Sequence, residues 1–446
     1  MKASKNTHLK SWKKDSRFVD ADSKNFRLIF FSFVVGLLAG GVGAIFRLTL
    51  SHIHSFVYLF YNDAGKFGAI SWLWPYLFAV SGVVISLYLV KKFAPETGGS
   101  GVQEIEGALD EIRPMRWQRV LPVKFIASLF SLGSGLLLGR EGPTIQIGAN
   151  MGKMIKDVFK QSDNITNPLV SAGAAAGLAS AFNAPFAGII FVMEEMHGHF
   201  RYNFYSVASI MIASGTADFV VRAMIDAEPV IKMTVFPLPV LSGIWLFIVL
   251  GAFFSLIGFA FNKLLIVSLD FFHETSKKSM LLTGVSVGLV IATVGIFFPE
   301  MIGGGYGTIS QVLDQSFTLQ FLIILFISRM ILTIFSYGTG VSGGIFAPML
   351  ALGVVFGMLF GIVMQHFFPH LVLHPGVYAV AGMAGIFAST VRAPLTGLVL
   401  AVEMTSNYEL ILPLIVTSVT ASVITAQLGN EPIYTTLLKR TMSKVE

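Results

Sequence analysis

The chain has no cysteine and few charged residues. The absence of Cys among 446 residues excludes disulfide bonds, thiol nucleophiles and thiolate metal sites. Asp, Glu, Lys and Arg make up only 13% of the sequence, whereas 54% is hydrophobic and 40 residues are Phe. Because about a quarter of the residues of a soluble domain are charged, this composition excludes an ordinary soluble protein. It predicts a protein that crosses the lipid bilayer several times.

Regular alternation of apolar and polar residues, which is typical of a membrane β-barrel, is also missing. Apolar runs of spanning or near-spanning length recur instead at residues 28–48, 74–90, 169–192, 241–261, 280–298, 319–335 and 413–426. Since backbone polar groups must be paired inside lipid, these runs predict an all-α, polytopic membrane protein. Three other stretches, 122–138, 144–155 and 345–363, are too short or too interrupted by Gly and Pro to cross as one straight helix.

Basic residues predominate at both ends of the chain. The first 25 residues carry seven Lys or Arg against three Asp, and Lys439, Arg440 and Lys444 lie near the other end. No apolar core with a small-residue cleavage site follows the first basic segment at once, which argues against a secretory signal. The positive-inside tendency predicts that both termini are cytoplasmic and that the number of crossings is even. This topology explains most of the net charge of +6, so no nucleic-acid partner is predicted.

The glycines and prolines that interrupt the apolar sequence occur twice. Segments 98–101 and 139–143 recur with one common offset at 303–306 and 344–348, and segment 172–194 recurs with a slightly larger offset at 381–403. A duplicated pattern of broken apolar segments is expected of a transporter whose ion site lies between two repeats. We therefore predict three parts and no cytosolic regulatory domain. The parts are an N-terminal cytoplasmic arm, a first transmembrane repeat, and a second one with a short cytoplasmic C-terminus, over residues 1–25, 26–230 and 231–446.

Glu141 lies in one of these interruptions, in the sequence Gly139-Arg140-Glu141-Gly142-Pro143. Pro143 favours the start of a helix, so Glu141 is expected at or before an N-terminus, where free N–H groups and the helix dipole attract an anion. When ionised, Glu141 would fill this anion position, and when protonated it would leave. The structural alternative is an ion pair with Arg140. We favour a functional role, because ionisable groups within membrane segments are functional by default.

Two further segments are candidates for the anion site. Ser100 is followed by Gln103, which fits a capping box, but the Ser100 hydroxyl could equally bind a dehydrated anion. Residues 344–348 have no acid where Glu141 stands. Their amides could face an anion, with Pro348 starting a helix, although a packing kink is the simpler interpretation.

Acidic residues also end two apolar runs. Glu194 and Glu195 follow the first run, and Glu403 ends the second, where a position in the headgroup region is expected. Burial favours the protonated form of a carboxyl group, which suits a buried acid to carry a proton. The residues alone do not decide between Glu194 and Glu195.

At these residues the chain strongly resembles the CLC family of chloride channels and chloride/proton antiporters, in its bacterial form. The matching segments occur in family order at residues 99–107, 139–143, 343–348 and 432–434. The resemblance implies the CLC fold, with two inverted repeats and many tilted and broken helices. It also implies a homodimer in the inner (plasma) membrane, with one ion pathway in each subunit.

The resemblance assigns roles to individual residues. The hydroxyls of Ser100 and Tyr434 and the amides of Ile345 and Phe346 are implied to coordinate the central anion. Ser100 itself favours chloride over nitrate, for which some relatives carry Pro at that position. The chain departs from the usual motifs at Val102-Gln103, where Ile-Pro is common, and at Val341-Ser342, where Ala-Pro is common.

Glu141 matches the external gating glutamate of the family. Glu195 matches the internal proton-transfer glutamate that antiporters carry and channels replace. The resemblance thus implies a secondary active transporter that exchanges chloride for protons, with Glu141 competing with chloride for the anion site. The alternatives are a passive, voltage- or pH-gated chloride channel of the same fold and a fluoride exchanger, for which changes at Ser100 and Tyr434 are expected.

An enzyme is the alternative from a different class. An intramembrane hydrolase would use Glu141 or Glu195 as a general base. The sequence has no recognisable Ser/His pairing and no cluster of metal ligands to support this chemistry, and a hydrolase leaves the duplication unexplained. We therefore predict no enzymatic activity, no metal and no cofactor.

Overall fold

The computed structural model describes residues 23–62, 69–163, 166–200 and 202–443. Most of the predicted N-terminal arm lies outside the described residues. Within them the chain forms 17 α-helices and no strand beyond two isolated bridges. The prediction of an all-α fold is confirmed. The helices are α1 (Ser23–Asn62), α2 (Leu73–Phe93), α3 (Val102–Leu109), α4 (Trp117–Gly133), α5 (Glu141–Val158), α6 (Thr166–Phe182), α7 (Pro185–Glu194), α8 (Phe204–Met224), α9 (Trp245–Lys278), α10 (Met280–Phe297), α11 (Tyr306–Asp314), α12 (Leu319–Gly338), α13 (Phe346–Phe367), α14 (Gly376–Thr390), α15 (Pro394–Thr405), α16 (Ile411–Gln427) and α17 (Ile433–Met442).

Eight helical stretches of the described chain are long and apolar enough to cross a membrane. They lie in or around α1, α2, α8, α9, α10, α12, α13 and α16. The protein is therefore a membrane protein with multiple candidate spans. Shorter helices such as α6, α7, α14 and α15 lie between them. α6 and α14 are almost entirely buried, so the protein and not lipid surrounds them.

Three helices differ from the sequence expectations. The run 169–192 is not one helix, because Asn183 adopts a left-handed φ of 51° and separates α6 from α7. The stretch 345–363 was expected to be interrupted, but α13 continues for 22 residues. Pro348 lies in its first turn, where a missing N–H removes no bond within the helix. The sequence analysis also missed α8, the least apolar of the eight candidate spans.

The starts of corresponding helices follow the duplication, with one correction. The starts of α5 and α13, and those of α7 and α15, have the offsets that the sequence pattern predicts. The starts of α3 and α11 lie one position closer together, because each helix follows a left-handed glycine N-cap, Gly101 with φ 89° and Gly305 with φ 105°. The common offset of segments 98–101 and 303–306 pairs Ser100 with Gly305, and this pairing is wrong by one position. Gly305 corresponds to Gly101, since the turn geometry and not the spacing of glycines fixes the match.

Glu194 and Glu403 provide reciprocal contacts between the two copies of the pattern. The Glu194 carboxylate accepts bonds from the amides of Leu395 (3.0 Å) and Thr396 (2.7 Å) in the first turn of α15. The Glu403 carboxylate accepts bonds from the amides of Phe186 (3.1 Å) and Ala187 (2.7 Å) in the first turn of α7. Each acid thus caps the positive end of the other's helix. Glu403, which was expected in the headgroup region, has a structural partner inside the protein.

Candidate anion site

Two pairs of glycine-rich turns are joined by backbone hydrogen bonds. Gly139 and Gly344 exchange N–H···O bonds of 2.7 and 2.8 Å. Gly99 donates to the carbonyl of Val341 (2.8 Å) and accepts from the amide of Gly343 (3.0 Å). These four bonds bring the N-termini of α3, α5 and α13 together, although the segments lie far apart in sequence. Several positive helix ends therefore meet at one place within a buried core, which favours an anion.

Glu141 is the first residue of α5 and is fully buried. Its Oε2 accepts a bond from the Ala347 amide at 3.4 Å, in the first turn of α13, and its Oε1 accepts one from the Tyr306 hydroxyl. Gly139 leaves the room for this arrangement, since a Cβ there would lie 2.0 Å from Oε2. The Glu141 carboxylate thus occupies one amide donor in the first turn of α13.

Arg140 does not neutralise Glu141 by a direct contact. Its guanidinium donates to the carbonyl of Ala181 from Nε (3.3 Å) and Nη2 (3.0 Å). The same group lies over the Tyr306 ring, 4.4 Å from the ring centroid. In the described part of the chain no ion pair joins Arg140 to Glu141, so the structural alternative from the sequence analysis is not formed.

The hydroxyls of Ser100 and Tyr434 are fully buried, and neither has a hydrogen-bond partner among the described residues. The two hydroxyls lie near each other, but they do not form a hydrogen bond of normal geometry. Ser100 does not cap α3, because Gly101 is the N-cap and no side-chain cap bond forms. The capping-box alternative is therefore wrong for Ser100. Buried hydroxyls without a partner are costly, so this pair calls for a bound ligand or water.

Ile345 and Phe346 lie at the start of α13 and are fully buried. The first amides of a helix have no acceptor within the helix, so they are free to bind an anion. The Phe346 ring stacks on Tyr434 with a centroid distance of 5.9 Å. The start of α13 and the Tyr434 side chain therefore belong to one cluster.

Ser100 connects this cluster to Glu141. A Cβ on Gly142, the residue after Glu141, would lie 2.4 Å from the Ser100 Oγ. Gly142 in turn adjoins Gly344, whose Cβ would lie 2.9 Å from the Gly142 amide nitrogen. The residues that the sequence predicts around the anion thus converge on one region, with Glu141 beside them.

Lys124 in α4 is a buried cation that the sequence analysis missed. Its Nζ donates to the carbonyls of Thr97 (3.0 Å), Gly99 (2.8 Å) and Ser100 (3.1 Å). It therefore fixes the turn that carries Ser100. The only sequence signal was a single Lys within the apolar stretch 122–138.

Glu195 is the C-cap residue that follows α7, and it lies half-buried. It interacts electrostatically with Glu106 on α3, whose two carboxylate oxygens are buried without a partner among the described residues. Both acids also interact with Tyr434. Glu194 is engaged with α15, which leaves Glu195 as the acid nearer the anion cluster. The sequence analysis missed Glu106, although the residue lies within its segment 99–107.

The departure from the usual motif at Val341-Ser342 has a structural explanation. The Ser342 hydroxyl lies 2.8 Å from the Ser128 hydroxyl, and the Ser131 hydroxyl donates to the Ser342 carbonyl. The contact with Ser128 needs the serine side chain, whereas the bond from Ser131 reaches the backbone and does not depend on the residue type. For Gln103, the side-chain oxygen is buried without a partner among the described residues, and nothing in the structure explains the substitution.

A cavity of about 550 Å³ reaches Tyr306 and Arg140. Arg47 lines the same space, so its walls carry two guanidinium groups and one acid, Glu300. Positive charge along a cavity raises the local concentration of anions. The cavity therefore ends beside Tyr306, whose hydroxyl contacts Glu141.

Known proteins share both the sequence and the fold. The model of the family described as "Voltage gated chloride channel" matches residues 82–426. A Vibrio campbellii protein named H(+)/Cl(-) exchange transporter ClcA is 44% identical over 424 residues, which cover 94% of this chain and 90% of that protein.

Two solved structures are also similar. The crystal structure of a slow cyanobacterial Cl-/H+ antiporter has a TM-score of 0.91 and 38% identity, and the match covers 94% of this chain and 98% of that one. A CLC-type fluoride/proton antiporter, with a TM-score of 0.73, 21% identity and coverage of 90% and 95%, shares the fold. Sequence and fold agree that this chain belongs to the CLC family of voltage gated chloride channels.

Proposed function

We propose that this chain exchanges chloride for protons across a membrane. One observation carries the proposal: the carboxylate of Glu141 accepts a hydrogen bond from the Ala347 amide in the first turn of α13, a position that suits an anion. An acid that fills an anion position connects anion binding to protonation. The Vibrio campbellii relative, named as an H(+)/Cl(-) exchange transporter, supports the same function.

Glu141 is the gate and the external proton acceptor. Its ionised form and chloride compete for the same electropositive helix end. Protonation of Glu141 removes the attraction and frees the position for chloride, and bound chloride in turn favours the protonated, displaced carboxyl group. Such reciprocal binding couples the two ion flows without a large domain motion.

Ser100, Tyr434, Ile345 and Phe346 form the central anion site. The two hydroxyls have no protein partner among the described residues, and the two amides lie where a helix offers free donors. All four groups can donate hydrogen bonds. Lys124 supports this site by holding the Ser100 turn in place.

Glu195 is the internal proton-transfer residue. It lies by the Tyr434 cluster, whereas Glu141 contacts the start of α13 and Tyr306. Protons from the cytoplasm reach Glu195 and then pass through water to Glu141, because apolar side chains cannot relay protons. Glu106, with its unpaired carboxylate oxygens, adds a second buried acid beside Glu195.

The protein acts as a homodimer in the inner membrane, with one pathway in each subunit and both termini in the cytoplasm. The basic residues of the two ends support this topology. The two transmembrane repeats, 26–230 and 231–446, each contribute to the anion site. Its role is transport and not catalysis.

A passive chloride channel of the same fold is the main competing function, and a voltage measurement separates the two. Purified protein in a planar bilayer is studied under a fixed chloride gradient, with and without a pH gradient. For an exchanger the reversal potential shifts when the pH gradient is imposed. For a channel it stays at the chloride equilibrium potential, and that result would reject the proposed exchange.

A further inference from the structure

Tyr306 is the first residue of α11 and directly follows the left-handed N-cap Gly305. Its hydroxyl donates to Oε1 of Glu141, 165 residues away in the chain. The corresponding residue after Gly101 is Val102, which has no hydroxyl. The two copies of the glycine-rich turn are thus chemically different at the residue that reaches the gate.

The Tyr306 ring is fixed from two sides. The Arg140 guanidinium lies 4.4 Å from its centroid, and the Phe182 ring lies 6.3 Å away. Arg140 is itself held by the Ala181 carbonyl. A cation over the ring withdraws electron density and makes the phenol a better hydrogen-bond donor. Tyr306 is therefore oriented and activated as a donor towards Glu141.

Two donors hold the two carboxylate oxygens separately. The Ala347 amide contacts Oε2, and the Tyr306 hydroxyl contacts Oε1. A single chloride ion at the N-terminus of α13 can replace Oε2 as the acceptor of the Ala347 bond. It provides no second acceptor in place of Oε1. The Tyr306 bond thus favours the carboxylate over chloride in their competition for this position.

From this geometry we infer that Tyr306 is a positioning residue that latches Glu141 in the closed gate and so sets the balance between gate and chloride. The inference rests on the proposed gating role of Glu141. The charged groups that face the pair are Arg140 and Arg47. Arg140 stabilises the ionised carboxylate together with the Tyr306 hydroxyl, and Arg47 interacts with Tyr306.

The test is Tyr306→Phe, which removes the hydroxyl and keeps the ring under Arg140. Chloride binding is measured by calorimetry on the purified protein at pH 7.5. A hydrogen bond to a charged group is strong enough that chloride should bind about tenfold more tightly in the variant. Tyr61→Phe is the matched control, because the Tyr61 hydroxyl lines the same cavity and has no partner among the described residues. The control should bind chloride as the unchanged protein does.

Two further readouts separate a latch from a general structural effect. The Tyr306 bond favours the ionised form of Glu141 and so opposes its protonation. Without this bond Glu141 is protonated at a lower proton concentration. The pH of half-maximal chloride flux should therefore rise by about 1 unit. In a Glu141→Ala background, Tyr306→Phe should change chloride affinity by less than about twofold. Here the latch has no carboxylate to hold.

Unchanged chloride affinity and pH profile in Tyr306→Phe would overturn the inference. So would an equal gain in affinity in the Glu141→Ala background, because Tyr306 would then act on the anion directly. The binding comparison does not depend on proton coupling. If the unchanged protein moves chloride without protons, the proposed exchange fails, whereas the binding data still decide the role of Tyr306.

Discussion

Lys124 and Arg329 occupy corresponding positions in the two copies of the pattern and hold the two glycine-rich turns in the same way. Both side chains are fully buried. Lys124 donates to three carbonyls within residues 97–100. Arg329 donates to the carbonyl of Gly303 at 3.1 Å and to the hydroxyl of Thr308 at 2.9 Å. The duplication therefore includes a buried basic side chain for each turn, but only the first turn carries a predicted anion ligand.

This difference predicts different effects of Lys124→Met and Arg329→Met. Each substitution leaves buried acceptors without a donor and should destabilise the protein by about 3 kcal/mol. In a Glu141→Gln background, where no charged gate competes, Lys124→Met should weaken chloride binding at least tenfold, because Ser100 loses its support. Arg329→Met should leave the affinity within about twofold. Thermal unfolding in detergent and calorimetric titration check both effects, and equal losses of affinity would contradict the asymmetry.

Gly139→Ala should uncouple the gate. The added methyl group would lie 2.0 Å from Oε2 of Glu141, so the carboxylate has to leave the start of α13. We expect faster chloride efflux from liposomes and several-fold fewer protons per chloride. Gly41→Ala is the control, since no atom lies within 4 Å of a Cβ at that position. Unaltered coupling in Gly139→Ala would show that Glu141 does not need this position.

Glu194→Gln and Glu403→Gln should each destabilise the protein without altering coupling. Loss of a charged helix cap costs about 1 kcal/mol. Glu194 also accepts a bond from the Thr396 hydroxyl at 2.8 Å, so its replacement should cost more. The two sites share no partners, and the effects should add in the double variant. Melting temperatures test whether Glu194→Gln costs more stability than Glu403→Gln. An unchanged melting temperature in Glu194→Gln would contradict the reciprocal capping.

Glu195→Gln should abolish proton transport and keep chloride transport. The amide has the shape of the acid but cannot release a proton at neutral pH. Proton uptake driven by a chloride gradient is measured in liposomes. Glu409→Gln, at an exposed position, is the control and should keep both activities. Continued proton uptake by the Glu195 variant would remove this residue from the proton route.

The sequence predicted those features that local chemistry determines. Pro143 and Pro348 sit in the first turns of α5 and α13, so the helix starts at Glu141 and Phe346 could be anticipated. The sequence did not predict where a helix ends when the backbone conformation of one residue determines the break. A left-handed Asn183 splits an apolar run that composition alone leaves continuous.

Contacts between distant segments were outside the reach of sequence reasoning. Tyr306 was treated as part of a repeated glycine pattern, because nothing in its own segment indicates a partner 165 residues away. Glu106 and Lys124 were missed for the same reason. Their importance appears only when the fold buries them beside the Ser100 turn and Glu195. The functional roles of Ser100, Glu141, Ile345, Phe346, Tyr434 and Glu195 stay predictions until transport is measured.

The central claim is that protonation of Glu141 couples proton movement to chloride. Its most direct test records chloride efflux and proton uptake together in liposomes that hold either the unchanged protein or Glu141→Gln, under an imposed chloride gradient. The account predicts that the unchanged protein drives protons uphill and that the variant passes chloride with no proton movement. Proton uptake by liposomes with Glu141→Gln, at a rate that follows chloride efflux, would contradict it.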